Sequence, residues 1–291
     1  MYKYPTVFQT TAIFVQPTHP SFITKTEKMD YELIDTTAML KTFIDSIGAD
    51  AILYVDLEGN NLGREGTLSL VTILVEEHQK VHLVDVTTLK EDAFSVAGSN
   101  EQTLKQILES SEITKVFFDI RGDSDALYKH HQVSVGGIED LQLMELGSRS
   151  GSKKQVTGLA SAIKHDAQVS TADSKAWRKA KFKTKSRDFS VFDKRPLSEE
   201  LLKYSVQDVV HMPTLRNTYT DRLTEDWKAK VYEETVARIA LSQSADFNGK
   251  GGHMTLGPAA WQEEEEPRKG PTLPDSPEER GPPEPLDECP E

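Results

Sequence analysis

The chain has 291 residues, 47 of them acidic and 34 basic, for a formal net charge of -13, a length that suits one domain of about 200 residues with flanks or two small domains. No apolar run approaches the roughly 18 residues a membrane-spanning helix needs, and a single cysteine, Cys289, excludes an intrachain disulfide and a cysteine metal site. The charge is uneven: Gln262 to Glu291 holds 11 acids and 3 bases, net -8, so the acidity does not bar a nucleic-acid partner for the rest.

In chain order, residues 1–28 carry Pro5, Pro17 and Pro20 without periodicity and are expected to be poorly ordered. They lack the charged-then-apolar pattern of a secretory signal, so the expected location is cytoplasmic or nuclear, not secreted. A folded domain is expected over 29–243. It opens with Met39, Leu40, Phe43, Ile44 and Ile47, whose spacing predicts a helix stopped by Gly48. Short apolar runs predict strands over 51–57, 67–75 and 81–86, joined closely enough for an antiparallel meander. A helix over 101–110, a strand over 115–118, a helix over 124–131 and a strand-like piece over 138–143 come next, then helices over 156–165, 198–218 and 221–243. This order predicts an α/β fold with a mixed sheet: three antiparallel strands, then parallel strands, flanked by helices. Nine of the 14 prolines lie between Pro258 and Pro290, and residues 244–291 are expected to form a disordered acidic tail, open to a protein partner.

Three clusters could carry chemistry. Asp56 and Glu58 end an apolar strand two residues apart, so both carboxylates share a face. A divalent cation would relieve their repulsion, and hard oxygen ligands favour Mg²⁺ or Mn²⁺. Asp30-Tyr31-Glu32 repeats the spacing, so the triplet alone is equally a solvated strand end. Tyr204 and Asp208 stack one turn apart on a helix that Ser198 can cap; a surface pair is the plainer reading, and Tyr31 and Asp35 share the spacing. Asp119, Asp123 and Asp125 come after a strand, and Asp123 sits where a helix is expected to start, a common place for an N-cap.

In this order the three clusters resemble the DEDDy 3'-5' exonucleases, the ribonuclease D-like branch of the ribonuclease H-like superfamily. The likeness covers about residues 33–222. It rests on Tyr54-Val-Asp-Leu-Glu with Leu68-Ser-Leu-Val-Thr-Ile, on Lys115-Val-Phe-Phe with Asp123-Ser-Asp-Ala-Leu, and on Arg195-Pro-Leu-Ser-Glu-Glu-Leu-Leu-Lys-Tyr-Ser-Val-Gln-Asp. The separations, 65 residues from Glu58 to Asp123 and 85 from there to Asp208, suit that family. Phe118 stands where many relatives carry His, and Thr72 where Gln is common.

The resemblance implies a ribonuclease H-like sheet and a phosphodiester hydrolase. Asp56, Glu58, Asp123 and Asp208 would bind two divalent ions, Mg²⁺ or Mn²⁺, with Asp56 as the bridge, and Tyr204 would orient the attacking water. The substrate would be a single-stranded nucleic acid with a free 3' end, RNA favoured over DNA, and the products nucleoside 5'-monophosphates. In the second motif Asp123 fits best because Leu127 stands at the family's spacing after it. The chain is most similar to eukaryotic exonuclease-domain proteins related to piRNA-pathway factors. Some of these have lost acidic residues and only bind RNA, so an idle binding or scaffold protein of the same fold is the alternative; here all five residues are present.

A basic stretch precedes the third motif. Lys175, Arg178, Lys179, Lys181, Lys183, Lys185 and Arg187, and then Lys194 and Arg195, are interleaved with Trp177, Phe182 and Phe189. Cations with stacking rings suit a single strand; a solvated loop or a nuclear localisation signal has the same composition.

Overall fold

The computed structural model describes residues 30–167 and 189–262. Its frame is one six-stranded sheet. The strands in chain order are β1 (Tyr31–Ile34), β2 (Ile52–Glu58), β3 (Leu70–Val75), β4 (Lys80–Asp85), β5 (Thr114–Phe117) and β6 (Ile138–Asp140). They lie side by side in the order β1-β4-β3-β2-β5-β6. β2, β3 and β4 form the expected antiparallel meander, in a register that sets Asp56 opposite Thr72 and Glu58 opposite Leu70. β5 joins β2 in parallel, β6 joins β5 in parallel, and β1 lies parallel to β4 at the far edge. The mixed α/β sheet is therefore the one expected, with β1 as an unforeseen addition.

Helices cover both faces, which is why the central strands read as nearly unbroken apolar runs. They are α1 (Thr37–Asp45), α2 (Val86–Leu89), α3 (Asp92–Ser95), α4 (Leu104–Glu109), α5 (Ile120–His131), α6 (Leu141–Ser148), α7 (Leu159–Asp166), α8 (Glu199–Val210), α9 (Met212–Arg222), α10 (Glu225–Gln243) and α11 (Ala259–Gln262). On one face Leu53, Val55, Leu57, Val71 and Ile73 pack against Leu40 and Phe43 of α1, Leu108 of α4 and Leu127 of α5. On the other, Tyr54, Leu70, Leu74 and Leu83 pack against Leu143 of α6, Val206 and Val209 of α8, and Leu215 and Tyr219 of α9. Asp56 and Glu58 belong by alternation to this second face.

Three expectations are corrected. First, α5 begins at Ile120, four residues before the expected start, so Gly122 and Asp123 lie inside its first turn and Asp123 is no N-cap. Asp119 holds the N-cap position at φ 66° without a side-chain cap. The Asp140 carboxylate takes the amides of Asp119 (3.0 Å) and Ile120 (3.4 Å) instead. Second, the long helix expected over 198–218 breaks at His211 into α8 and α9. Pro213, in the first turn of α9, has no N–H to continue the α8 ladder. Third, the chain does not leave the domain at residue 243. Phe247 and Trp261 are buried, Trp261 meets Trp227 edge-on at 5.1 Å, and the amides of Val156 and Gly257 bond the carbonyls of Thr255 (3.1 Å) and Lys154 (3.0 Å). Scattered anchors in a polar segment have no period, so the ordered part reaches Gln262 unseen. The expectations for residues 1–28 and for 263–291 lie outside the described residues.

Candidate active site

β2 delivers Asp56 and Glu58 to the face that α8 crosses. Ser198 caps α8 by accepting the Leu201 amide, and Glu199 and Glu200 in the first turn complement the helix dipole. One turn of this helix then separates Tyr204 from Asp208, both buried and both directed to the sheet side with Leu201 and Val209. Residues 150 positions apart are thus brought together: one carboxylate oxygen from each of Asp56, Glu58 and Asp208 lies within 4.8 Å of the others. Glu58 and Asp208 are buried and Asp56 is half-buried.

Like charges this close repel, and burial strips their water. Among the described residues this cluster holds only carboxylate oxygens, a donor set for a hard divalent cation such as Mg²⁺ or Mn²⁺. The residues present therefore fit a metal site. Asp123, from the first turn of α5, stands beside this cluster rather than within it. Desolvation first, then the charges of Asp56 and Asp119, raise its carboxyl well above the usual carboxylate range. Tyr204 is held far above the usual phenol range by burial first and then by Glu58, Asp208 and Asp56. Its hydroxyl therefore stays protonated at any working pH, next to the carboxylates.

The neighbouring acids of the second motif have other partners. Arg121 grips Asp119 through Nε (2.6 Å) and Nη2 (2.7 Å). Arg64 binds Asp125 through its backbone amide (2.7 Å) and Nε (2.8 Å), and its remaining nitrogens bond the carbonyls of Ser242, Ser244 and Ala245. Of the three aspartates, Asp123 is the one without a guanidinium partner among the described residues and under the influence of Asp56.

Lys175, Arg178, Lys179, Lys181, Lys183, Lys185 and Arg187, with Trp177 and Phe182, lie outside the described residues. The chain beyond them is tied to the sheet. Residues Phe189–Asp193 form a 3-10 turn whose buried Phe192 ring meets that of Tyr204 at 6.1 Å. Asp193 accepts hydrogen bonds from Thr67 (2.7 Å) and Ser69 (2.6 Å). Arg195 is no free phosphate hand: its guanidinium makes a two-pronged pair with Asp85 (2.6 and 2.5 Å) and also bonds the carbonyls of Phe192, Lys194 and Ser69. No sequence pattern signals these anchors between the turn and strands β3 and β4, because partners more than 100 residues apart leave no local spacing.

A sequence profile of the 3'-5' exonuclease family matches residues 31–224. The chain is 29% identical to the piRNA biogenesis protein EXD1 of Bombyx mori over 103 residues, 35% of this chain and 30% of that protein, so it spans about a third of that relative's length. In fold it is similar to Trypanosoma brucei RNase D, solved in complex with RNA U12: TM-score 0.65 at 23% identity, over 81% of this chain and 79% of that one. It is similar also to Escherichia coli RNase D, described as an exoribonuclease involved in structured RNA processing: TM-score 0.55 at 18% identity, over 75% of this chain and 52% of that one. The profile match takes in well over half of the chain, including Asp56, Glu58, Asp123, Asp208 and Tyr204, and the protein belongs to the 3'-5' exonuclease family.

Proposed function

We propose that this domain hydrolyses single-stranded nucleic acid from a free 3' end, RNA in preference to DNA, in a metal-dependent reaction that releases nucleoside 5'-monophosphates. The observation that carries the proposal is the convergence of Asp56, Glu58 and Asp208 within 4.8 Å beside Tyr204. Asp56, Glu58, Asp123 and Asp208 would hold two divalent ions, with Asp56 shared between them; such ions supply Lewis acidity to the scissile phosphate and acidify water. Tyr204, protonated and packed against Phe192, holds the attacking water by a hydrogen bond. The preference for RNA is supported by the likeness to an RNase D solved with RNA. Lys175, Arg178, Lys179, Lys181, Lys183, Lys185 and Arg187 are proposed to grip the phosphate backbone, since the turn that ends their segment sits against Tyr204.

The test is digestion of 5'-labelled single-stranded RNA and DNA with Mg²⁺ or Mn²⁺. The wild type is expected to give a ladder shortening from the 3' end, faster on RNA. Asp56→Asn abolishes it, and Tyr204→Phe, which keeps the ring packing, slows it by about 10²-fold or more. Replacing Lys179, Lys181 and Lys183 together by Ala raises KM and weakens its salt dependence. Intact RNA and DNA after long incubation, with binding retained in gel shifts, would sink the enzyme reading and leave a nucleic-acid-binding protein.

A further inference from the structure

β3 carries a polar side chain where its neighbours are aliphatic. Thr72 is fully buried, and among the described residues its hydroxyl has no hydrogen-bond partner. A buried unbonded hydroxyl is a standing cost, and native interiors keep few of them. The same strand accepts Val71 and Ile73 without difficulty, so valine, equal in outline, would remove that cost. The surroundings narrow what the hydroxyl could serve. Its register partner on β4 is Leu83, and its neighbours on the same face of β3 are Leu70 and Leu74. On β2 its register partner is Asp56. Paired residues on one face of adjacent strands have Cβ atoms about 4.5–5.5 Å apart, within reach of a side-chain hydrogen bond.

We propose that Thr72 is a positioning residue for the metal cluster: its hydroxyl donates a hydrogen bond to the Asp56 carboxylate when a cation is bound, and waits without a partner when none is. The inference rests on the metal-binding reading proposed above. Zero exposure rules out contact with the substrate, so Thr72 acts through Asp56. Ligating carboxylates are oriented by hydrogen bonds from groups behind them, and loss of such a group typically costs 10–100-fold in metal affinity. A cation adds a reason for Asp56 to turn one oxygen forward, which leaves the other facing its cross-strand neighbour.

The experiment is a Mn²⁺ titration of the full chain, read by melting temperature and by calorimetry, for wild type, Thr72→Val, Thr72→Ser and Asp56→Asn. In the absence of metal, Thr72→Val is expected to melt at or above the wild-type temperature. It should need about 10- to 100-fold more Mn²⁺ for half of the thermal shift, whereas Thr72→Ser, which keeps the hydroxyl, titrates near wild type. Thr72→Val with a wild-type midpoint would overturn the proposal while leaving the metal site intact. A lowered metal-free melting temperature in Thr72→Val, with unchanged affinity, would overturn it in favour of a purely structural hydroxyl. No response to Mn²⁺ in the wild type itself would remove the metal reading and this inference with it.

Discussion

His82 lies buried on β4 with its ring stacked on Phe43 at 4.4 Å, and among the described residues neither ring nitrogen has a hydrogen-bond partner. Burial lowers it to about 4 from its ordinary 6.5; Glu32 opposes the shift in part, while Lys80 and His78 add to it. The neutral ring is the folded form, so the stability it allows is present above pH 6.5 and is lost as the pH falls toward 4. Over that window the loss is on the order of 3 kcal/mol. His82→Leu should flatten the fall in melting temperature between pH 6.5 and 4; an acid limb as steep as that of the wild type would refute the assignment. At this scale the sequence is informative when alternation decides. A strand places Asp56 and Glu58 on one face whatever its neighbours do. It is silent on His82, because whether a histidine is wet or buried depends on what the opposite layer brings.

Elements are set in place by a few buried charges. The start of α5 is fixed where Asp140, with no exposure, accepts the amides of Asp119 and Ile120 and is itself paired with buried Arg238 of α10 at 2.7 Å. Arg238 also reaches Gln142 (3.0 Å), and Arg121 bonds the Met254 carbonyl (2.8 Å). Arg238→Met strands the Asp140 carboxylate in the interior and is expected to cost about 3–5 kcal/mol in denaturant unfolding. A loss below about 1 kcal/mol would mean that the pair is not what pins the turn. The meander was legible because doubly buried strands give long apolar runs, and Ser198 announced α8. The beginning of α5 was not legible: the acceptor of its first amides lies 21 residues further on, and glycine inside a helix reads locally as a turn.

Across the whole molecule, the segment 244–262 closes back on the domain: Trp261 meets Trp227 of α10, Phe247 lies under the Arg64 guanidinium at 5.5 Å, and the Gly257 amide bonds the Lys154 carbonyl. Truncation after Gln243 is therefore expected to lower the melting temperature, while truncation after Gln262 leaves it unchanged and removes 8 of the 13 net negative charges. Equal melting of the two shortened chains would show that the wrap contributes nothing. The aromatic anchors were invisible in the sequence because each stands alone among polar residues. Among the described residues no helix is long and apolar enough to cross a membrane. The acid cluster spans positions 56 to 208, from an early strand to a late helix. A ribosome that has released only the sheet has therefore released no cation site. The nascent chain cannot bring these carboxylates together until Asp208 has been translated, 150 residues after Glu58.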